Sequence, residues 1–102
     1  MTDKLESEFQ RTLKDEIKRR LPECVIVKQD PNTSFQGIPD HLVLCPTGWG
    51  ALETKRRPNS KRRPNQPYWV ERFNEMSFAA FVNPENMDEV LDGLQSALRP
   101  DR

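Results

Sequence analysis

Leu5, Phe9, Leu13, Ile17 and Leu21 recur every fourth residue. That period predicts an amphipathic helix over residues 3–20. Thr2 or Asp3 is placed to cap it, and Pro22 ends it. At about 100° per residue, Glu6 projects near the centre of the apolar stripe and Glu8 well away from it. A carboxylate on a core-facing stripe needs a partner, because burying it unpaired is costly. The pattern then turns short and β-branched. CVIVKQ (24–29) reads as a strand, DPNTSFQG (30–37) as a loop and DHLVLC (40–45) as a second strand. Pro46-Thr47-Gly48 makes a turn, and Trp49 to Lys55 a third strand, so the three form an antiparallel meander. Asn65 or Gln66 opens a helix through about Met76, with Tyr68, Trp69, Phe73 and Met76 as its apolar side. AAFVN (79–83) is a fourth strand, and a strand reached through a helical crossover pairs parallel with a neighbour. Residues 85–98 form a last helix with Met87, Val90, Leu91, Leu94 and Leu98 inward, stopped by Pro100. The order α-β-β-β-α-β-α predicts one α/β domain spanning 1–102.

Lysines plus arginines and aspartates plus glutamates both total 16, so net charge names no partner, but charge placement does. KRRPNSKRRPNQ (55–66) is a near-tandem repeat of Lys-Arg-Arg-Pro-Asn. With two prolines and no hydrophobic residue, 56–65 is expected to be a mobile basic loop. A neutral protein with such a stripe can still bind phosphate, because the local field outweighs the sum. No apolar run approaches the ~20 residues of a membrane span, so no membrane partner is expected. MTDKLESEFQ is too charged for a signal peptide. Cys24 and Cys45 sit in hydrophobic runs with no CxxC pair or His/Cys cluster, and are expected to be reduced core residues of a cytosolic protein. His41, Trp49, Tyr68 and Trp69 read as structural or interface residues. Phe35, alone in a loop before Gly37-Ile38-Pro39-Asp40, stands out as a substrate contact to test.

The candidate chemistry lies on strands two and three. Residues i and i+2 of a strand share a face, so Glu53 and Lys55 face one way and Thr54 the other. Reflection about Thr47 places Asp40 opposite Thr54, within a residue of Glu53. Asp40, Glu53 and Lys55 therefore meet at the strand ends beside the basic loop. Two carboxylates and an ammonium suit phosphodiester hydrolysis with Mg²⁺ or Mn²⁺, which takes one or two carboxylates and keeps several waters. The lysine can orient water or stabilise developing negative charge. Arg56, Arg57, Lys61, Arg62 and Arg63 suit phosphate contacts.

Pro39-Asp40, then Glu53-Thr54-Lys55, resembles the PD-(D/E)XK nuclease signature, with an acid on the preceding helix as Glu6 is here. GIPD, then E-x-K, a basic loop and Gln66 opening a helix are similar to the small VRR-NUC-type nucleases, which occur as standalone phage proteins and within larger repair enzymes. A looser likeness runs to phage endonuclease I and Holliday-junction resolvases. The resemblance covers roughly residues 5–83. It implies a restriction-endonuclease-like core, a mixed central sheet flanked by helices, with Asp40, Glu53 and the Thr54 carbonyl holding Mg²⁺ or Mn²⁺. It also implies Lys55 as the catalytic lysine, Glu6 as the helix acid at a second metal or a metal-bound water, and Gln66 as the residue positioning the lysine or the scissile phosphate. Glu8 stays an alternative helix acid, and Lys28 and Asp30 are candidates to enter from strand one, Lys28 as a DNA contact. The expected activity is a metal-dependent DNA endonuclease, structure-selective for branched DNA or nicking, in the cytoplasm of a bacterial or phage-infected cell. A homodimer is expected where paired cuts are needed. The alternatives are a non-catalytic nucleic-acid-binding protein and a protein inhibitor, both using the basic loop.

Overall fold

The computed structural model describes residues 2–30, 37–57, 60–61 and 65–98, with side chains from Glu6 onward. Three helices, α1 (Thr2–Arg20), α2 (Gln66–Met76) and α3 (Met87–Leu98), alternate with four strands. These are β1 (Val25–Lys28), β2 (His41–Cys45), β3 (Gly48–Thr54) and β4 (Phe78–Val82). The order is the α-β-β-β-α-β-α that the periodicities predict. The strands lie in the order β1-β2-β3-β4. The first three are antiparallel, and β4 pairs parallel with β3, as its helical crossover requires.

The two faces of the sheet differ. On one, Leu13 and Ile17 of α1 and Leu91 and Leu94 of α3 pack with Val43, Leu52 and Val82. On the other, Val70 of α2 packs on Ala51 and Ala79, with Trp49, Phe73 and Phe81 around them. The result is a three-layer α/β/α sandwich. Gly50 faces α3, and a Cβ there would collide with the Leu94 side chain. The missing side chain therefore sets how closely α3 approaches β3.

Two expectations need correction. The α2 helix buries Gln66 and Val70, whereas Tyr68 and Met76 are exposed. Its fully buried stripe is narrower than an all-apolar count implies: Val70 sits on Ala51 and Ala79, and Phe73 only partly buries against them. On β1, Ile26 packs against the α1 core, but α2 covers only β3 and β4, which leaves Val25, Val27 and Leu44 exposed on the other face. Cys24 and Cys45 are not reduced. They form a disulfide across the β1–β2 ladder, one step beyond the Val25–Leu44 pair, with Cα atoms 4.3 Å apart. Antiparallel register, invisible in their spacing, makes them direct neighbours. The cytosolic expectation thereby loses its thiol support. No helix among the described residues is long and apolar enough to cross a membrane.

A charge network ties α1 to α3. Glu16 accepts from Arg19 and, at 2.9 Å, from Arg20, which reaches on to Asp92 at 2.7 Å and Asp88 at 3.4 Å. The hydrogen bonds from Arg19 first, and then Arg20, pull the Glu16 carboxyl from 4.5 to about 2. A depressed carboxylate stabilises the fold above its unfolded value, and that stability is lost as pH falls through the folded value. Glu16→Gln should therefore lower the urea midpoint at neutral pH, with the gap to wild type closing as pH falls from 4.5 to about 2. Leu94 is 1% exposed, and Leu94→Ala should cost about 2–5 kcal/mol of unfolding free energy by denaturant titration.

Candidate active site

The β2–β3 hairpin closes through a two-residue turn, Pro46-Thr47, with Cys45 paired to Gly48 and His41 to Leu52. One step further, this register sets Asp40 against Glu53, where reflection about Thr47 places it against Thr54. Asp40 clasps both residues. Its backbone N–H donates to Glu53 Oε1 at 3.2 Å. Its carboxylate accepts the Thr54 N–H on Oδ1 at 3.2 Å and the Thr54 hydroxyl on Oδ2 at 2.8 Å. The clasp holds the strand ends in one geometry.

Glu53 is buried at 6% exposure. A carboxylate there must meet donors. Gln66, the first residue of α2 and also buried, donates Nε2 to Glu53 Oε2 at 2.8 Å. Its Oε1 accepts Lys55 Nζ at 2.8 Å. Lys55 Nζ also donates to the Lys61 carbonyl at 3.1 Å and lies 3.8 Å from Glu53 Oε2. One amide thus spaces an acid from a base, its two ends answering opposite partners. The approach of α2 depends on Gly37, whose φ of +93° suits glycine and whose missing Cβ leaves room for Asn65. Pro39 beside it is fully buried.

Asp40, Glu53, Thr54, Lys55 and Gln66 line an open cavity of about 680 Å³ with Glu6, Arg56, Arg57, Ser60 and Lys61. Glu6 and not Glu8 reaches it, as expected of the residue on the inner stripe. Arg57 and Ser60 hydrogen-bond to each other, Arg57 N to Ser60 Oγ at 3.0 Å and Ser60 N to Arg57 O at 3.1 Å. Arg56, Arg57 and Lys61 of the Lys-Arg repeat thus stand at the cavity rim. Arg62, Arg63 and Phe35 lie outside the described residues. Lys28 does not line this cavity: it sits against Gln10 on the α1 side of the sheet.

Three residues enter that sequence reasoning missed. Gln10 donates to the Thr54 hydroxyl at 3.0 Å, so that hydroxyl turns its own proton to Asp40. His41, buried, sets Nδ1 2.9 Å from Asp40 Oδ1. A carboxylate only accepts, so the ring proton sits on Nδ1. The Thr54 side chain is the third, on the face opposite Glu53. Only Gln10 gave a signal, as a polar residue beside Phe9.

Among the described residues, no three His, Cys, Asp or Glu side chains converge to hold a metal by themselves. A hard divalent cation needs fewer, since Mg²⁺ takes one or two carboxylates and fills its octahedron with carbonyls and water. Asp40 and Glu53 meet that demand, with the Thr54 carbonyl at the same strand end and Glu6 facing the cavity. Asp40 Oδ2 accepts one hydrogen bond, and a carboxylate oxygen has two lone pairs. The donor set fits Mg²⁺ or Mn²⁺.

No family model matches the chain, and no curated protein does. A solved structure described as a VRR_NUC domain does, with a TM-score of 0.68 and 25% identity over 86% of this chain and 95% of that one. The chain folds like a VRR_NUC domain. VRR-NUC domains belong to the PD-(D/E)XK nuclease superfamily, the resemblance carried by Pro39-Asp40 and Glu53-Thr54-Lys55. The VRR-NUC-like sandwich leaves Glu53 and Lys55 pointing at the same buried amide. Gln66→Ala should leave that carboxylate short of a donor and destabilise the protein by about 1–3 kcal/mol in denaturant titration.

Proposed function

We propose that the chain is a divalent-metal-dependent nuclease that hydrolyses phosphodiester bonds in DNA at the Asp40–Glu53–Lys55 cavity. The observation that carries this reading is the Gln66 amide, which holds the Lys55 ammonium beside Glu53 at the foot of a cavity rimmed by Arg56, Arg57 and Lys61. A purely structural salt bridge has no need of a spacer, and two carboxylates beside phosphate contacts repel the ligand unless a cation joins them.

Asp40, Glu53 and the Thr54 carbonyl would hold Mg²⁺ or Mn²⁺, with Glu6 accepting from water bound there or holding a second ion. A divalent cation at such a site polarises the phosphate and acidifies bound water. Lys55 is placed to orient the attacking water and to meet charge developing on the phosphoryl oxygens. Gln66 keeps the ammonium aimed. Arg56, Arg57 and Lys61, with Arg62 and Arg63 by sequence, grip the sugar-phosphate backbone, which supplies affinity with little base readout. The finer reading is a nicking or structure-selective endonuclease acting on branched DNA in the cytoplasm of a bacterial or phage-infected cell. One cavity per chain cuts one strand, so paired cuts at a junction require a two-fold homodimer.

The test is incubation with supercoiled plasmid, a labelled four-way junction and a linear duplex, each with Mg²⁺, Mn²⁺ or EDTA. Cutting should need the metal. It should fall by roughly a hundred- to a thousand-fold in Lys55→Ala and vanish in Asp40→Ala. Junction binding without cutting, unchanged in both variants, would establish a non-catalytic binding protein instead. Neither binding nor cutting would leave the protein-inhibitor reading.

A further inference from the structure

The Lys-Arg repeat is not the only cationic surface at the cleft. Helix α1 borders a second cavity, of about 430 Å³, between itself and the sheet. Arg11, Lys14 and Lys18 line it from the helix, and Lys28 from β1, against a single acid, Asp15. Arg11, Lys14 and Lys18 are all exposed, and none makes an ion pair among the described residues. Their neighbours on the helix behave differently. Arg19 and Arg20 are taken up by Glu16 and the acids of α3. Glu16 thus engages the arginines of one flank, and the groove flank keeps three cations against Asp15, a separation of charge within a protein of zero net charge.

The groove adjoins the cleft. Lys28 Nζ donates to Gln10 Oε1 at 3.2 Å, Gln10 Nε2 to the Thr54 hydroxyl at 3.0 Å, and that hydroxyl to Asp40 at 2.8 Å. His41 lines the groove and touches Asp40 from the same side. Along α1, Glu6 faces the cleft, and the next turns, to Lys18, face the groove. Those turns rise about 16 Å at 1.5 Å per residue. That length spans several phosphates of one strand at ~3.4 Å per nucleotide.

We infer that the α1–β1 groove is a second nucleic-acid contact, which binds the phosphate backbone of the DNA that enters the cleft. This inference rests on the nuclease reading for the identity of the ligand. DNA held by the Lys-Arg repeat on one side of Asp40 and by the groove on the other is gripped on both flanks of the scissile phosphate. Each groove lysine that neutralises a phosphate releases a counterion, so it contributes to the salt dependence of binding.

The experiment is fluorescence anisotropy of the labelled duplex and four-way junction against salt concentration, in EDTA so that no strand is cut. The proteins are wild type, Lys14→Gln/Lys18→Gln and, as a control on α2, Arg72→Gln. The double variant should bind more weakly, and its plot of log affinity against log salt should be shallower by roughly two, one per lysine. Arg72→Gln should overlay wild type. If the double variant melts below wild type, Lys14→Gln and Lys18→Gln taken singly should each lower the slope by roughly one. An unchanged slope in folded variants that still cut DNA overturns the groove and leaves the nuclease reading standing. A lowered slope in a protein that never cuts sustains the groove and removes the nuclease. Absence of DNA binding by wild type overturns the groove outright.

Discussion

A buried carboxylate has to be met by donors, and Glu53 organises the structure around that demand. It sits on the α2 face at the end of β3, where the sheet is otherwise lined by Ala51, Ala79 and aromatic edges. Its partners are the Asp40 N–H from the neighbouring strand, the Gln66 amide from the first turn of α2, and the Lys55 ammonium two residues on. Each comes from a different segment. The hairpin register, the start of α2 and the path of the chain leaving β3 are therefore coupled through one side chain. Loss of any partner strands a charge in low dielectric.

The opposite face of the sheet completes the same site. Thr54 points toward α1, and its hydroxyl passes the constraint from Gln10 to Asp40. Asp40 is thus fixed from both layers, with His41 closing on its other oxygen. A carboxylate so fixed would lose little freedom on binding a cation, which is the condition a well-defined metal site requires. The hydrophobic layers matter here chiefly because they hold α1 and α2 at the distances that let Gln10 and Gln66 reach. Gly37 sets the α2 distance against Asn65, while Gly50 lets Leu94 of α3 close on β3 within the same core as α1.

Charge follows the same division of labour. The acids of α3 and Glu16 draw in Arg19 and Arg20 and brace the far end of α1. Arg11, Lys14, Lys18 and Lys28 line the groove, and Arg56, Arg57 and Lys61 the cleft. A neutral composition conceals this, because a net sum carries no information on which side chains neutralise one another.

Periodicity alone determined the element order, since periods of 3.6 and 2 follow from backbone geometry and survive in any tertiary setting. The pairing of Asp40 with Glu53 and Lys55 was legible for the same reason: a short hairpin leaves few registers, and an error of one residue still brings the acids together. Glu6 was legible from its angle on the helix. Gln66 was implicated only by the resemblance to the VRR-NUC-type nucleases, and the structure supplies the bonds that resemblance cannot. What the tertiary structure decided lies between segments far apart in the chain. The Cys24–Cys45 bond, the Gln10–Thr54–Asp40 chain and the exposure of Val25, Val27 and Leu44 depend on which layer covers which strand. Local patterns encode the face a residue presents; only packing decides what stands across from it.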